Sequence, residues 1–128
     1  MDLNETLIGA LGIEITHLGQ GTVTATMPVD ERTRQPMGFL HGGASVALAE
    51  TVASIGAYEL VDHEAEAVVG LEINANHIKG KRDGTVTAVG TLLHQGKTTM
   101  VWDIKITDEI GQTICISRCT IAIIKLKK

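Results

Sequence analysis

The stretch from residue 35 to residue 60 contains a long apolar run, and it is the feature that most constrains the fold. A Pro and three Gly residues open the stretch, and residues 44 to 58 are apolar with four exceptions: Ser45, Glu50, Thr51 and Ser54. An amphipathic surface helix carries a broad polar face, whereas this run carries almost none. It therefore predicts a helix that is buried on most sides, with the rest of the chain folded around it.

Glu50 is the only charged residue of this predicted helix. It shares one helix face with residues at steps of three and four, most of them small: Gly43, Ala47, Ser54 and Ala57. Such a stripe is compatible with close packing against a sheet. A buried carboxylate is costly, however, unless it is paired, protonated or chemically active. This cost favours an open slot for a ligand, with Glu50 at its floor and the Ser54 hydroxyl one turn further.

Shorter segments on either side of the helix alternate apolar and polar residues, which is typical of half-exposed strands. They predict strands at residues 12–18, 22–29, 67–78, 85–93, 98–107 and 112–124, of which the first two form a hairpin. A short helix is predicted at residues 3–11, with Asn4 as its N-cap and Gly12 at its end. Asp83 and Gly84 form a hairpin signal, so the last four strands are expected to form a meander.

These elements predict the α+β class. One domain spans residues 1–128, and in it an antiparallel sheet wraps around one long central helix. The chain is long enough to bury a core without disulfide bonds. A single sheet of this length cannot cover all sides of so apolar a helix. We therefore expect a homodimer in which the sheets of two copies pair edge to edge.

Composition and charge argue against several classes of protein. The formal net charge is −4 and the basic residues form no stripe, which disfavours a nucleic-acid partner. Residues 1–12 carry no basic region, so no signal peptide is expected, and no apolar run predicts a transmembrane span. Cys115 and Cys119 are about 13 Å apart along a predicted strand, which is too far for a disulfide. We expect free thiols, a cytoplasmic location and no metal site.

Three segments together resemble a known family: MPVDERTRQPMGFLHGGASVALAE, VVGLEINANHIKG and HQGKTTMVW. They are similar to the hotdog-fold acyl-CoA thioesterases of the PaaI-like branch. Within it they most resemble the 4-hydroxybenzoyl-CoA and 1,4-dihydroxy-2-naphthoyl-CoA thioesterases that use a glutamate on the helix. The resemblance extends from Ile13 to Ile124.

The resemblance implies a hotdog fold and a homodimer with active sites at the subunit interface, assembled into a dimer of dimers. It also implies an enzyme that hydrolyses acyl-CoA, with coenzyme A as part of the substrate and no separate cofactor. The physiological substrate that it suggests is an aromatic acyl-CoA, 1,4-dihydroxy-2-naphthoyl-CoA of menaquinone biosynthesis.

Gly42 and Glu50 offer two of the groups that thioester hydrolysis needs. The Glu50 carboxylate is a nucleophile or general base, and the Gly42 backbone N–H at the helix start is an oxyanion donor. Eight residues of helix separate them by about 12 Å. Either one of the two is not catalytic, or they meet across a dimer. The resemblance implies the second: Gln35, His41 and Gly42 of one subunit face Glu50 of the other.

The resemblance also implies roles for the neighbouring side chains. Gln35 lies near the thioester, His41 flanks its carbonyl group, and Ser54 holds the hydrolytic water or the carboxylate. Each residue has a structural alternative. Gln35 stabilises its own loop, His41 caps the helix through its ring, and Ser54 bonds back to the helix carbonyl one turn earlier.

Coenzyme A carries phosphates, so basic residues are expected at the mouth of the site. By resemblance, two segments face the nucleotide, often from a neighbouring subunit: His77, Lys79, Lys81 and Arg82, and Gly96, Lys97 and Thr98. Family members often carry Arg where Lys79 stands and Ser or Thr where Lys97 stands, so the chain departs from the pattern there. The alternative is two ordinary exposed basic turns.

Other functions remain open. A hotdog hydratase or dehydratase usually pairs a catalytic His with an acid at the helix start, and no Asp or Glu lies between Gln35 and Ala49. A non-catalytic acyl-CoA-binding module would tolerate the loss of Glu50, which is present. Within the thioesterase class, a broad-specificity housekeeping enzyme acting on acyl-CoA or acyl carrier protein is a further alternative.

Overall fold

The computed structural model describes residues 2–127, which form two helices and six strands. In chain order the elements are α1 (Leu7–Leu11), β1 (Glu14–Leu18), β2 (Thr22–Pro28), α2 (Gly42–Tyr58), β3 (Glu66–His77), β4 (Thr85–Gln95), β5 (Thr99–Thr107) and β6 (Thr113–Lys125). The strands form one antiparallel sheet in the order β1-β2-β4-β5-β6-β3, and α2 packs across it. The predicted α+β architecture, an antiparallel sheet around one long helix, is confirmed.

Helix α2 buries one face against the sheet and leaves the other half-buried. The buried residues recur in pairs along the helix: Ala44, Ser45, Leu48, Ala49, Val52, Ala53, Gly56 and Ala57. Gly56 permits this close approach, because a Cβ there would overlap the indole ring of Trp102 on β5. The opposite face, with Ala47, Glu50 and Ser54, is only half-buried. The prediction of burial on most sides is therefore not met by one chain alone.

The predicted four-strand meander is wrong at β3. This strand crosses to the far edge of the sheet and pairs with β6, so only β4, β5 and β6 follow one another as neighbours. Asp83 and Gly84 do not close a hairpin but end the crossover into β4, where Gly84 has φ +81°. The carbonyl of Gly84 accepts a 2.8 Å hydrogen bond from Val29 N–H just after β2. Because β2 and β5 flank β4 on both sides, no edge is left there for β3.

The N-terminal helix is shorter than predicted. Residues 3–6 fold back on themselves, and α1 begins only at Leu7, with Thr6 rather than Asn4 at the N-cap position. The Leu3 carbonyl explains the late start, because it accepts hydrogen bonds from Thr6 N–H at 3.2 Å and from Thr6 Oγ1 at 2.6 Å. The predicted end at Gly12 is confirmed by its left-handed φ of 74°, a conformation that favours glycine.

Both cysteines are buried and free, as predicted. Burial raises the pKa of the Cys119 thiol to about 12, and the charges of Glu50 and Glu72 act in the same direction. Within residues 2–127, no group of three or more His, Cys, Asp or Glu side chains is arranged to hold a metal ion. Nor does any helix in that range have the length and apolar character needed to cross a membrane.

Candidate active site

The start of α2 presents one capped and one open backbone N–H. His41 is the N-cap residue in extended conformation, and its Nδ1 accepts a 2.7 Å hydrogen bond from Gly43 N–H. The alternative role of His41 as a ring cap is therefore present in the structure. The N–H of Gly42 has no partner among the described residues. Because the first backbone donors of a helix carry a partial positive charge, Gly42 N–H can donate a hydrogen bond to an oxygen on which negative charge develops.

His77 lies against the same helix start. A Cβ at Gly42 would be only 2.9 Å from His77 Nε2 and 3.1 Å from Cε1. Its position on β3 explains this, since its strand partner on β6 is the buried Cys115. The sequence prediction grouped His77 with the basic residues that follow it. Strand alternation could have separated it from them, because His77 is in phase with Ile73 and Ala75, which pack towards the core.

Gln35 closes the loop that precedes α2. Its Oε1 accepts hydrogen bonds from Met37 N–H at 2.5 Å and Phe39 N–H at 3.3 Å, so the loop-stabilising alternative is present. The turn is completed by Gly38, whose φ is +92°. The Gln35 Nε2 amide has no hydrogen-bond partner within residues 2–127, and it can still donate to a ligand. The fixed loop holds this amide at the entrance to α2.

The carboxylate of Glu50 lies directly against the backbone of β3 at Gly70. A Cβ at Gly70 would overlap Glu50 Oε2 and would be 3.2 Å from its Cδ. The strand is irregular here, with a β-bulge between Gly70 and Glu72, and bulges often adjoin active sites. Glu50 is half-buried, and its carboxylate has no ion pair or hydrogen bond among the described residues. Packing against Gly70 holds the carboxylate in place, and its oxygens can still contact a ligand.

Two adjoining cavities open along the half-buried face of α2. The smaller, of about 340 Å³, contains Glu50 and the larger, of about 600 Å³, is mostly apolar. The lining residues of the larger cavity are Leu3, Ile15, Leu18, Ser54, Ile55, Tyr58, Glu59 and Val68. Ser54 and Ile55 line both cavities. The alternative bond from Ser54 back to the Glu50 carbonyl is not among the hydrogen bonds of residues 2–127. The arrangement fits a reacting group beside Glu50 and an apolar group beyond Ser54.

The predicted basic residues do not form one phosphate site within a protomer. His77 lies against the start of α2, and Lys79 follows it two residues later in the chain, whereas Gly96 and Lys97 line a cavity with Leu60, which follows the end of α2. The 17-residue helix between these ends is about 25 Å long. Thr98 continues the distant segment and pairs its carbonyl with Ile123 N–H.

Each of the three basic side chains at the near end already has a partner. Lys79 Nζ donates to the amide oxygen of Gln112. Lys81 forms a 2.7 Å ion pair with Glu109 and is largely buried. The Arg82 guanidinium lies 4.0 Å from the centre of the Phe39 ring, a favourable cation–π distance. Lys81 therefore stabilises the fold, whereas Lys79 and Arg82 are exposed, and Arg82 lies against the loop that contains Gln35 and Phe39.

The Lys81–Glu109 pair makes stability depend on pH. The Lys81 ammonium and Thr85 N–H lower the pKa of Glu109 from 4.5 to about 2. Because the folded state favours the ionised carboxyl group of Glu109, the pair stabilises the fold fully above about pH 4.5. This stabilisation is lost as the pH falls towards 2. We expect the urea midpoint to fall more between about pH 6 and about pH 3 in the native protein than in Glu109→Gln. Equal falls would show that the pair contributes nothing.

Gly42 and Glu50 stand on the same helix, eight residues apart, and the structure does not bring them together within one chain. At about 1.5 Å per residue their separation along the axis is about 12 Å. The two groups therefore cannot contact the same carbonyl carbon of a substrate bound to one protomer. Sequence reasoning found both groups but missed Gly70, because nothing local in the sequence places β3 beside Glu50.

Comparison with known proteins assigns this arrangement to a family. The thioesterase superfamily model matches residues 37–115. The chain is 58% identical to ComA2 of Bacillus subtilis (strain 168), covering 98% of this chain and 99% of that one. Two relatives named 1,4-dihydroxy-2-naphthoyl-CoA hydrolase are each 51% identical. The one from Listeria monocytogenes is matched over 100% of both chains, and the one from Escherichia coli over 92% of this chain and 86% of its own.

Solved structures agree with the sequence comparison. A mutant of thioesterase PA1618 from Pseudomonas aeruginosa superposes with a TM-score of 0.94 at 46% identity, over 97% of this chain and 89% of that one. A thioesterase protein from Streptococcus pneumoniae, solved with coenzyme A, superposes with a TM-score of 0.83 at 27% identity, over 94% and 93%. The predicted hotdog fold is thereby confirmed.

Proposed function

Because this chain belongs to the thioesterase superfamily, whose members here include named hydrolases of acyl-CoA, we propose that it hydrolyses an aromatic acyl-CoA. The candidate substrate is 1,4-dihydroxy-2-naphthoyl-CoA of menaquinone biosynthesis, and water is the second substrate, so no cofactor is required. The observation that carries the proposal is the half-buried carboxylate of Glu50, which has no ion pair or hydrogen bond within residues 2–127 and lies beside a mostly apolar cavity of about 600 Å³. The buried free thiols fit the reducing cytoplasm.

In the proposed mechanism Glu50 attacks the thioester carbonyl carbon directly, or removes a proton from the water that attacks it. The carbonyl oxygen becomes an oxyanion and accepts a hydrogen bond from Gly42 N–H. Collapse of the tetrahedral intermediate breaks the C–S bond, and the coenzyme A thiolate leaves and takes up a proton. When water is the attacking group, the free acid forms in this step; when Glu50 attacks, the acyl group stays on Glu50 as an anhydride, which water then hydrolyses to the free acid. Gln35 Nε2 donates near the thioester, His41 orients the helix start, and Ser54 holds the water or the Glu50 carboxylate.

We further propose that each site contains two subunits. The half-buried Glu50 face of α2 and the free edge of β3, where Leu71 is 63% exposed, are the surfaces that a second copy would cover. Antiparallel pairing of the two β3 edges sets Gly42 of one subunit against Glu50 of the other. A dimer of dimers would then bring Gly96, Lys97 and Thr98 of a neighbouring subunit towards the coenzyme A phosphates, with Lys79 and Arg82 completing the contact.

Mixed subunits test the shared site. Glu50→Gln and Gly42→Pro are each expected to abolish most activity alone. If the site is shared, a heterodimer of the two variants contains one intact pair of groups. Random mixing after unfolding and refolding should then recover about a quarter of native activity, since half the dimers are mixed and each has one working site. With both groups in one subunit, no mixture would recover any.

Gly70 positions the Glu50 carboxylate in this mechanism. Gly70→Ala adds a Cβ that overlaps Oε2, so the carboxylate must move away from its place against β3. We expect kcat to fall about tenfold to a hundredfold, since displacements near 1 Å have that effect, while KM changes little. The double variant Glu50→Gln/Gly70→Ala should be no slower than Glu50→Gln alone. A further loss in the double variant would indicate general damage to the sheet.

A broader thioesterase is the second candidate within the class. One relative, 48% identical over 118 residues, is named proofreading thioesterase EntH, from Cronobacter turicensis. A thioesterase of this kind would act on several acyl groups on coenzyme A or a carrier protein. The mostly apolar cavity excludes neither substrate type by charge, so the acyl preference has to be measured.

The proposal is tested by thiol release from a panel of acyl-CoAs that includes 1,4-dihydroxy-2-naphthoyl-CoA, benzoyl-CoA and aliphatic acyl-CoAs. We expect release of coenzyme A, with the highest kcat/KM on the bicyclic aromatic substrate. Equal kcat/KM values across the panel would favour the broad thioesterase. No release from any thioester, with acyl-CoA still bound in calorimetry, would replace the enzyme by an acyl-CoA-binding module.

A further inference from the structure

We infer that the N-terminal segment, residues 3–11, forms a wall of the acyl pocket and sets the size of the acyl group that the enzyme accepts. This inference rests on the proposed function, because it assigns the apolar cavity to the acyl group. The segment lies outside residues 37–115, the part of the chain that the family model describes.

The N-terminal segment contributes to both cavities beside α2. Leu3 lines the larger, apolar cavity together with Ile55 and Tyr58. Leu7 and Ile8 line the smaller cavity, which contains Glu50. An acyl group that extends from Glu50 past Ser54 would therefore run along the inner side of this segment. Leu7 is 62% exposed despite its apolar side chain, which fits a position at a pocket mouth.

The segment is ordered by its own hydrogen bonds. The Leu3 carbonyl accepts from Thr6 N–H, Thr6 Oγ1 and Gly9 N–H at 3.2, 2.6 and 3.2 Å. Residues 3–6 fold so closely against α1 that a Cβ at Gly9 would overlap the Leu3 carbonyl oxygen and lie 2.9 Å from Asn4 Cα. Leu3 is thus held at one place in the cavity wall. A wall fixed in this way can exclude a group by size.

Tyr58 lines the larger cavity on the side away from Glu50. This residue stands eight positions beyond Glu50 on α2, about 12 Å along the axis. Its ring stacks on His63 with centroids 3.7 Å apart, and a 2.6 Å hydrogen bond joins His63 Nε2 to the Tyr58 carbonyl. Leu3 from the N-terminal segment and Tyr58 from α2 therefore line the same cavity beyond Glu50. An acyl group that fills this cavity would contact both side chains.

Opposite changes of size at Leu3 test the inference. Leu3→Trp fills the larger cavity, so kcat/KM for a naphthoyl-CoA relative to acetyl-CoA should fall at least about tenfold. Leu3→Ala enlarges the cavity, so a tricyclic aromatic acyl-CoA should gain relative to naphthoyl-CoA. Both changes leave the Leu3 carbonyl in place. Leu93→Trp is the matched control, because Leu93 is 53% exposed and lines neither cavity.

A second variant shifts the N-terminal segment without changing the side chains that line the cavities, which are those of Leu3, Leu7 and Ile8. Gly9→Ala pushes against the Leu3 carbonyl and should relax the discrimination between bicyclic and tricyclic substrates. Substrate ratios separate a pocket effect from partial unfolding, because lost folding lowers the rates for all substrates equally. Ratios within about twofold of native in Leu3→Trp, Leu3→Ala and Gly9→Ala would overturn the inference.

Binding separates this inference from the proposed function. A naphthyl ketone thioether of coenzyme A keeps the carbonyl group but has no thioester to hydrolyse, and calorimetry gives its Kd. We expect Leu3→Trp to weaken binding at least about tenfold and Leu93→Trp to leave it unchanged. If the native protein binds this probe but hydrolyses no thioester, a weaker Kd in Leu3→Trp would still support the inference that Leu3 lines the acyl pocket. The proposed enzyme activity would in that case be wrong. No binding by the native protein, or equal Kd values in both variants, would overturn the wall.

Discussion

Replacing Glu50 by Gln should lower kcat for acyl-CoA hydrolysis by at least about a hundredfold, as expected when a catalytic group is removed. Gln preserves the size of the side chain but can neither attack a carbonyl carbon nor accept a proton from water. The Glu50 carboxylate makes no hydrogen bond or ion pair among the described residues, so the substitution breaks no contact that the fold uses. Substrate affinity should change little. Thiol release under saturating substrate measures kcat, and circular dichroism and size measurements check the fold.

Glu72→Gln is the matched control for this substitution. Glu72 also lies at the bulge of β3, and its charge also raises the pKa of Cys119. Its side chain, however, is exposed and accepts a hydrogen bond from Asn74 Nδ2 at 3.2 Å. It should therefore keep near-native activity. Full activity in Glu50→Gln would place the chemistry elsewhere, and equal losses in both variants would indicate a general effect of charge on the site.

The central helix and its glutamate could be predicted because both are local features of the sequence. An apolar run with a single acid indicates burial and marks that acid as exceptional. Periodicity also places Glu50 and Ser54 on one face, and both line the smaller cavity. The spacing of Gly42 and Glu50 already required either a second subunit or a different mechanism, since helix rise is nearly constant.

Features that depend on long-range pairing could not be predicted. The Asp83–Gly84 signal correctly predicted that the chain reverses direction before β4. It predicted the wrong neighbour for β3, because the pairing of β3 with β6 is decided by which sheet edge is free. The same pairing places Gly70 against Glu50 and His77 against Gly42. The positive charge of a residue was also insufficient to predict that its side chain is free to bind a phosphate. The structure pairs Lys81 with Glu109, which lies 28 residues later in the sequence.

The helix start explains why the N–H of Gly42 can be tested without breaking the helix. Gly42 is the first residue of α2, a position where Pro is well tolerated because its missing N–H is not used within the helix. The preceding residue must then be extended, and His41 already is, with φ −69° and ψ 130°. Gly42→Pro therefore removes one hydrogen-bond donor while keeping the backbone path.

Gly42→Pro should lower kcat by about a hundredfold to a thousandfold, the range found when one oxyanion donor is lost. Gly42→Ala is the matched control, because it keeps the N–H but adds the same Cβ 2.9 Å from His77 Nε2. Loss in the Pro variant well beyond that in the Ala variant assigns the effect to the donor. Equal losses would instead show that crowding against His77 is responsible and that Gly42 N–H does not bind the oxyanion. Helix content by circular dichroism should be the same in both variants, since the donor that Pro lacks has no partner within residues 2–127.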